Sequence, residues 1–190
     1  MFRTVHPDAY HGRVPMTNFF EGWYFKLVTA DASEAIALIP GVFWGKNDTE
    51  HHSFLQILDG PEVRYEYAAT PADRFRFDHK TKTIGLGGRT FNFSELHLEP
   101  LSDSDRTDAG LTGTIQFHQP VRWPDRWYSP GSMGPYNFVP RMQCHSQVCL
   151  VDAHLSGNVT LNGRTIDFDG GRGYVEKNWG RAFPYGWIWV

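Results

Sequence analysis

A chain of 190 residues with 18 basic and 21 acidic side chains, net charge −3, is long enough to bury a core without disulfides or a structural metal. It has no run of Lys and Arg of the kind that grips nucleic acid or anionic lipid, so nucleic-acid binding is excluded as a reading. Aromatic residues make up 15% of it, seven of them Trp, which suits a β-rich fold and equally a wall around a large apolar ligand.

The opening MFRTVHPDAYHG has neither an apolar h-region nor an Arg/Ser-rich transit composition. No stretch downstream reaches the roughly 18 apolar residues of a membrane span. The expectation is a cytoplasmic protein with no integral membrane segment and at most a peripheral contact. The first predicted strand is FFEGWYFKL at 19–27, where Phe19, Glu21, Trp23, Phe25 and Leu27 share one face. Further alternating runs follow: Val63, Tyr65 and Tyr67 against Arg64 and Glu66, then Phe75 and Phe77 against Arg74, Arg76 and Asp78, then Leu111, Gly113, Ile115 and Phe117. Turn chemistry separates them at Asp59-Gly60-Pro61, His79-Lys80-Thr81 and Gly87-Gly88.

Residues 121–140, with Pro and Gly interleaved among Trp and Tyr, read as a long irregular loop lying across a barrel mouth. Beyond it, Asn162-Gly163 joins Val159–Leu161 to Thr165–Phe168 as a two-residue hairpin. No segment shows sustained helical spacing. Short strands joined by hairpins make an all-β antiparallel meander, and eight or more such strands close into a barrel or stack as a sandwich. Trp187-Ile188-Trp189-Val190 is an apolar strand with no polar tail, the expected signature of a cut within a longer protein. Cys144 and Cys149, the only cysteines, fall on opposite faces of one extended segment and are expected to stay reduced. The nine His are scattered, with His51 and His52 adjacent and diverging, so no metal site is expected. Gly170-Gly171-Arg172-Gly173 leads into no helix and is not a phosphate loop, and no Ser occupies a nucleophile elbow.

Three segments, FFEGWYFKL at 19–27, SPGSMGPYNFVPRMQCHS at 129–146 and GGRGYVEKNWGRAFPYGWIW at 170–189, resemble the signature stretches of the tocopherol cyclase family. The order of FEGWYFK, then GYVEKNWG, then the Phe-Pro and Trp-Ile-Trp pairs is far more specific than any one of them. The resemblance implies a lipocalin-like β-barrel, the first half of a two-barrel protein whose build the carotenoid 1,2-hydratases share. On that reading residues 1–180 form the barrel domain and 181–190 begin a second β-rich half. It also implies an intramolecular lyase, an isomerase that closes a prenylated quinol to a chromanol.

That reaction protonates a trisubstituted alkene so that the tertiary cation is captured by the phenol oxygen, and it calls for no cofactor or metal. It calls for a carboxyl group kept protonated by desolvation, in a dry pocket with aromatic faces toward the cation. Glu21, on an apolar strand face, is one candidate; its alternative is a buried structural carboxylate paired with a cation. Glu176 is the other, sharing a face with Tyr174 and Asn178. Arg172, Lys177 and Arg181 lie near it in sequence, and a cation within reach makes a poor acid and a good anchor. Trp23, Tyr136, His145, Tyr174, Asn178 and Trp179, all from the three signatures, are the candidate substrate-binding residues, each of which serves equally as core packing or a solvated surface group. Two other readings stay open: a non-catalytic lipocalin-like carrier of an apolar isoprenoid, and a carotenoid or terpenoid hydratase that admits water to the same cation.

Overall fold

The computed structural model describes residues 5–12, 17–100, 110–139 and 142–186. Among the described residues twelve strands form one antiparallel sheet: β1 Phe19–Val28, β2 Ala35–Trp44, β3 His52–Asp59, β4 Arg64–Pro71, β5 Phe75–Asp78, β6 Thr83–Leu86, β7 Arg89–Phe91, β8 Glu95–Leu98, β9 Thr112–Val121, β10 Cys144–Leu161, β11 Arg164–Asp167 and β12 Arg172–Gly180. The spatial order is β4-β3-β2-β1-β12-β10-β9-β8-β7-β6-β5, with β11 paired to β10. The fold is thus an all-β, lipocalin-like and nearly closed antiparallel barrel. Two meanders, β1–β4 and β5–β10, are sewn together by β12, which pairs with β1 on one side and β10 on the other. The seam lies between β4 and β5, the two ends of the path, which are joined in sequence by the turn Ala72–Arg74.

The alternation written into the sequence decides which face goes in. Trp23, Phe25 and Leu27 of β1 are fully buried, and they meet Leu38, Val42, Leu55, Ile57, Ile84, Phe91, Leu96, Ile115 and Val175 in one cluster. Each such side chain removed from water contributes roughly 1.5–3 kcal/mol, so the barrel interior is the stabilising core. These side chains line the barrel interior among the described residues. Asn162 and Gly163 have φ of 53° and 77°, the left-handed pair that a two-residue hairpin turn requires, and β10 and β11 pair across them. The Val63–Tyr67 alternation behaves differently. Tyr65 and Tyr67 of edge strand β4 point outward, while Ala68 is its buried residue.

The predicted loop after β9 is irregular as expected, but its described part is fastened along β10 where β9 no longer runs. Ser132 donates its backbone N–H to Gln147 Oε1 at 2.8 Å, and its hydroxyl accepts the Val148 N–H at 3.0 Å. Both cysteines are free thiols. Residues 181–186 leave the sheet beside Gln143, whose carbonyl accepts the Arg181 N–H at 2.9 Å. The Trp187–Val190 run lies outside the described residues.

Candidate functional site

Antiparallel sheets usually bury one face and wet the other. The segment β4-β3-β2-β1-β12 instead carries apolar and aromatic side chains on both. Its outer face holds a groove of about 1150 Å³, floored by Gly22 and Ile39 and walled by Phe20, Phe43, Phe54 and Phe183. Phe183 stacks on Phe20 at 4.8 Å, closing one rim. The floor is low because of glycine. A Cβ on Gly41 would come within 2.3 Å of the Phe54 ring and 2.7 Å of the Glu21 carbonyl oxygen, so only Gly lets that ring lie flat across β2. A Cβ on Gly22 meets only ordinary contacts, 3.5 Å from Phe54 and 3.6 Å from Ile39. Gly22→Leu is therefore expected to keep the fold and fill the groove. Calorimetric titration with an apolar ligand that the wild type binds should then show roughly tenfold or weaker affinity if the groove holds it; undiminished binding would place the ligand elsewhere.

Glu176, Tyr174 and Asn178 project into this groove from β12, and Tyr24, directly across the ladder from Glu176, does so from β1. The Tyr174 hydroxyl donates to Glu176 Oε2 at 2.7 Å. Burial pushes the Glu176 carboxyl above the ordinary carboxylate range, although hydrogen bonds from Tyr174 and Asn178 oppose it. Burial, then the charge of Glu176, pushes Tyr24 up as well, so that phenol stays a donor. The three cations close in sequence turn away or stand at the rim. Arg172 pairs with Asp152 and contacts His154, Lys177 crosses to the core, and Arg181 borders the groove near Phe183. Among the described residues none forms an ion pair with Glu176.

At the β3–β4 end stands a His52–Tyr67 pair. His52 Nδ1 is 2.8 Å from the Glu50 carbonyl oxygen, which can only accept, so Nδ1 carries the proton in the neutral ring. Nε2, 2.7 Å from the Tyr67 hydroxyl, is then the acceptor of the Tyr67 O–H. Burial, with Tyr65 nearby, holds the Tyr67 phenol at about 12.

Glu21 lies on the opposite face of the sheet, fully buried. Burial alone would raise its carboxyl, but the contacting Lys177 ammonium and His11 outweigh that and hold it below the ordinary range. His11 adds its backbone N–H at 2.8 Å, and the Lys177 ammonium also donates to the Ala9 carbonyl. Lys177 is within 4.9 Å of the Trp23 ring and 4.7 Å of the Trp179 ring. Trp179 stacks on His11 at 4.1 Å and on His145 at 5.2 Å. The candidate set is thus divided by the sheet: Glu176, Tyr174 and Asn178 meet in the groove, whereas Glu21, Trp23, Trp179 and His145 gather on the core side. Tyr136 is 69% exposed on the loop after β9. Tyr24, Phe43, Phe54, His52 and Tyr67 were not among the candidates, though the second apolar face of β1, with Phe20 and Tyr24 between the core positions, is a signal for them. No group of three or more His, Cys, Asp or Glu side chains is placed to hold a metal among the described residues.

Residues 111–190 match a family model described as tocopherol cyclase-like. The chain is 35% identical to a probable chloroplastic tocopherol cyclase of Oryza sativa subsp. japonica and 33% identical to the chloroplastic tocopherol cyclase of Zea mays. These alignments cover 99% of this chain but 49% and 48% of those proteins, so the chain spans about half the length of the curated relatives it matches. Among solved structures it is similar in fold to CghA bound to Sch210972, with a TM-score of 0.53 at 10% identity over 86% of this chain and 46% of that one. CghA in a second crystal structure superposes equally well, at 0.53.

Proposed function

We propose that this chain, which belongs to the tocopherol cyclase-like family, binds a prenylated quinol or related isoprenoid in the outer-face groove and cyclises it by protonating an alkene from Glu176. The observation that carries the reading is a buried carboxyl, raised in pKa and without an ion-pair partner among the described residues, standing in an aromatic-walled groove.

Each step follows from a named group. The protonated Glu176 carboxyl gives its proton to the less substituted alkene carbon, leaving a tertiary cation faced by Tyr24, Tyr174 and Phe43. The phenol oxygen of the same molecule attacks that cation, and its proton returns to the Glu176 carboxylate directly or through the Tyr174 hydroxyl. Atoms balance as an isomerisation and the acid is regenerated. The apolar walls fold the prenyl tail toward the ring and keep out water, which otherwise captures the cation. Glu21 takes a structural role in this proposal, because a carboxyl held ionised by Lys177 is a poor donor.

Incubating the protein with a panel of prenylated benzoquinols and linear isoprenoids, and following binding and product mass, tests the reading. An isomer of unchanged mass is the predicted result. A gain of one water would make it a hydratase, and binding with no product would make it a carrier.

A further inference from the structure

We infer that Tyr67, with His52 behind it, is a specificity-determining residue of the groove: it anchors the ring hydroxyl remote from Glu176 and so admits a quinol in preference to the matching quinone. The ligand class rests on the proposed function; the selectivity rests on the direction of one hydrogen bond. His52 Nδ1, 2.8 Å from the Glu50 carbonyl oxygen, has to donate there, so Nε2 of the neutral ring carries only a lone pair. Nε2 lies 2.7 Å from the Tyr67 hydroxyl, and the Tyr67 O–H is therefore committed to His52. The phenol, held at about 12, keeps that proton. What the Tyr67 oxygen can offer a ligand is acceptance alone. A quinol O–H donates to it, whereas a quinone carbonyl brings an acceptor against an acceptor.

The pair belongs to the groove and stands across it from the acid. His52, Tyr67 and Glu176 all line it. From His52 the ladder runs through Phe43 and Phe20 to Gly180 of β12, three strand spacings or roughly 14 Å, room for one ring and its first prenyl unit between the two ends. The Tyr67 ring stacks on Phe54 at 5.4 Å and 22°, and the Phe54 ring in turn lies across Gly41, so the phenol is propped on an aromatic bed. Gln56 is the other polar side chain that β3 adds to the groove, and it leans the opposite way. It is the ladder partner of Tyr67, yet its amide oxygen is on the Tyr65 hydroxyl at 3.3 Å, while Tyr67 reaches along the strand to His52. A site built around a ligand hydroxyl penalises the analogue lacking it more than an apolar wall penalises a missing methylene. The selection also suits the reaction: a quinone has no phenol to capture the cation, so refusing it keeps an unreactive ligand away from Glu176.

The test is anaerobic calorimetric titration at about pH 8, where free imidazole is neutral. The probes are a geranyl para-benzoquinol, the matching para-benzoquinone, and the quinol methylated on the hydroxyl not adjacent to the geranyl group. The wild type should bind the quinol roughly tenfold or more tightly than either of the others. Tyr67→Phe should lower the quinol to the level of the quinone and leave the quinone within about twofold. His52→Phe should erase the preference from the other side, by raising the quinone, because the freed Tyr67 O–H can then donate to a carbonyl. A wild type that binds quinol and quinone alike, a Tyr67→Phe protein that keeps the preference, or a His52→Phe protein that binds both more weakly in equal measure overturns the proposal. Selective binding with no isomeric product would keep the role of Tyr67 and remove the cyclisation reading. An isomeric product without selectivity would do the reverse, and a wild type that binds none of the three probes overturns both.

Discussion

Glu176→Gln is expected to lower turnover of a prenylated quinol by roughly 10²–10⁴-fold, the usual contribution of a positioned general acid. Gln keeps the shape and the hydrogen bond from Tyr174, yet it has no carboxyl proton to give. Binding affinity should stay within about twofold, because the lost interaction exists only in the transition state. The wild-type pH profile carries the same signature. The reactive form of Glu176 is protonated and its folded pKa is raised, so turnover should hold below that pKa and fall as pH rises through it. A variant with unchanged kcat, or a rate that climbs with pH across that range, would remove Glu176 as the donor.

Glu21→Ala is expected to act on stability instead. It leaves the Lys177 ammonium buried without its counter-charge and withdraws the acceptor of the His11 backbone N–H. Breaking a buried pair from one side costs roughly 3–5 kcal/mol, a large part of the roughly 5–15 kcal/mol that holds a domain folded. Replacing both partners, Glu21→Met with Lys177→Met, should recover much of the loss, since no charge is then left stranded. Urea unfolding of the three variants measures this. The sign with pH is fixed by the depressed Glu21 pKa: its contribution is complete above the unfolded carboxylate pKa and is lost as pH falls through the lower folded value. A Glu21→Ala protein as stable as wild type, but inactive, would return Glu21 to the chemistry.

The strand pattern and one face of the site were legible in the sequence; the partners across the ladder were not. The two-residue period put Glu21 among Phe19, Trp23 and Phe25, and put Tyr174, Glu176 and Asn178 together, and both groupings appear on the pleated strands. What local sequence cannot carry is that β12 inserts beside β1, bringing Lys177 onto Glu21 from 156 residues away and Tyr24 opposite Glu176. The same pleat resolves the apparent crowd of cations around Glu176. Lys177, its immediate neighbour, points to the other side of the sheet, so adjacency in sequence marks the cation least able to reach it. The outward Tyr65 and Tyr67 show the limit of alternation: it fixes that one face is aromatic, while burial decides whether that face is core or groove. A strand apolar on both faces, as β1 is, was the legible sign that a second surface mattered.

The most direct test is a carboxyl ¹³C NMR titration of the two glutamates in the ligand-free protein. Glu176 should titrate above the ordinary carboxylate range and Glu21 below it, the separation that lets one act as an acid and the other as an anchor. The reverse order, or a Glu176 that ionises at or below the ordinary value, would contradict the assignment of the proton donor to the groove.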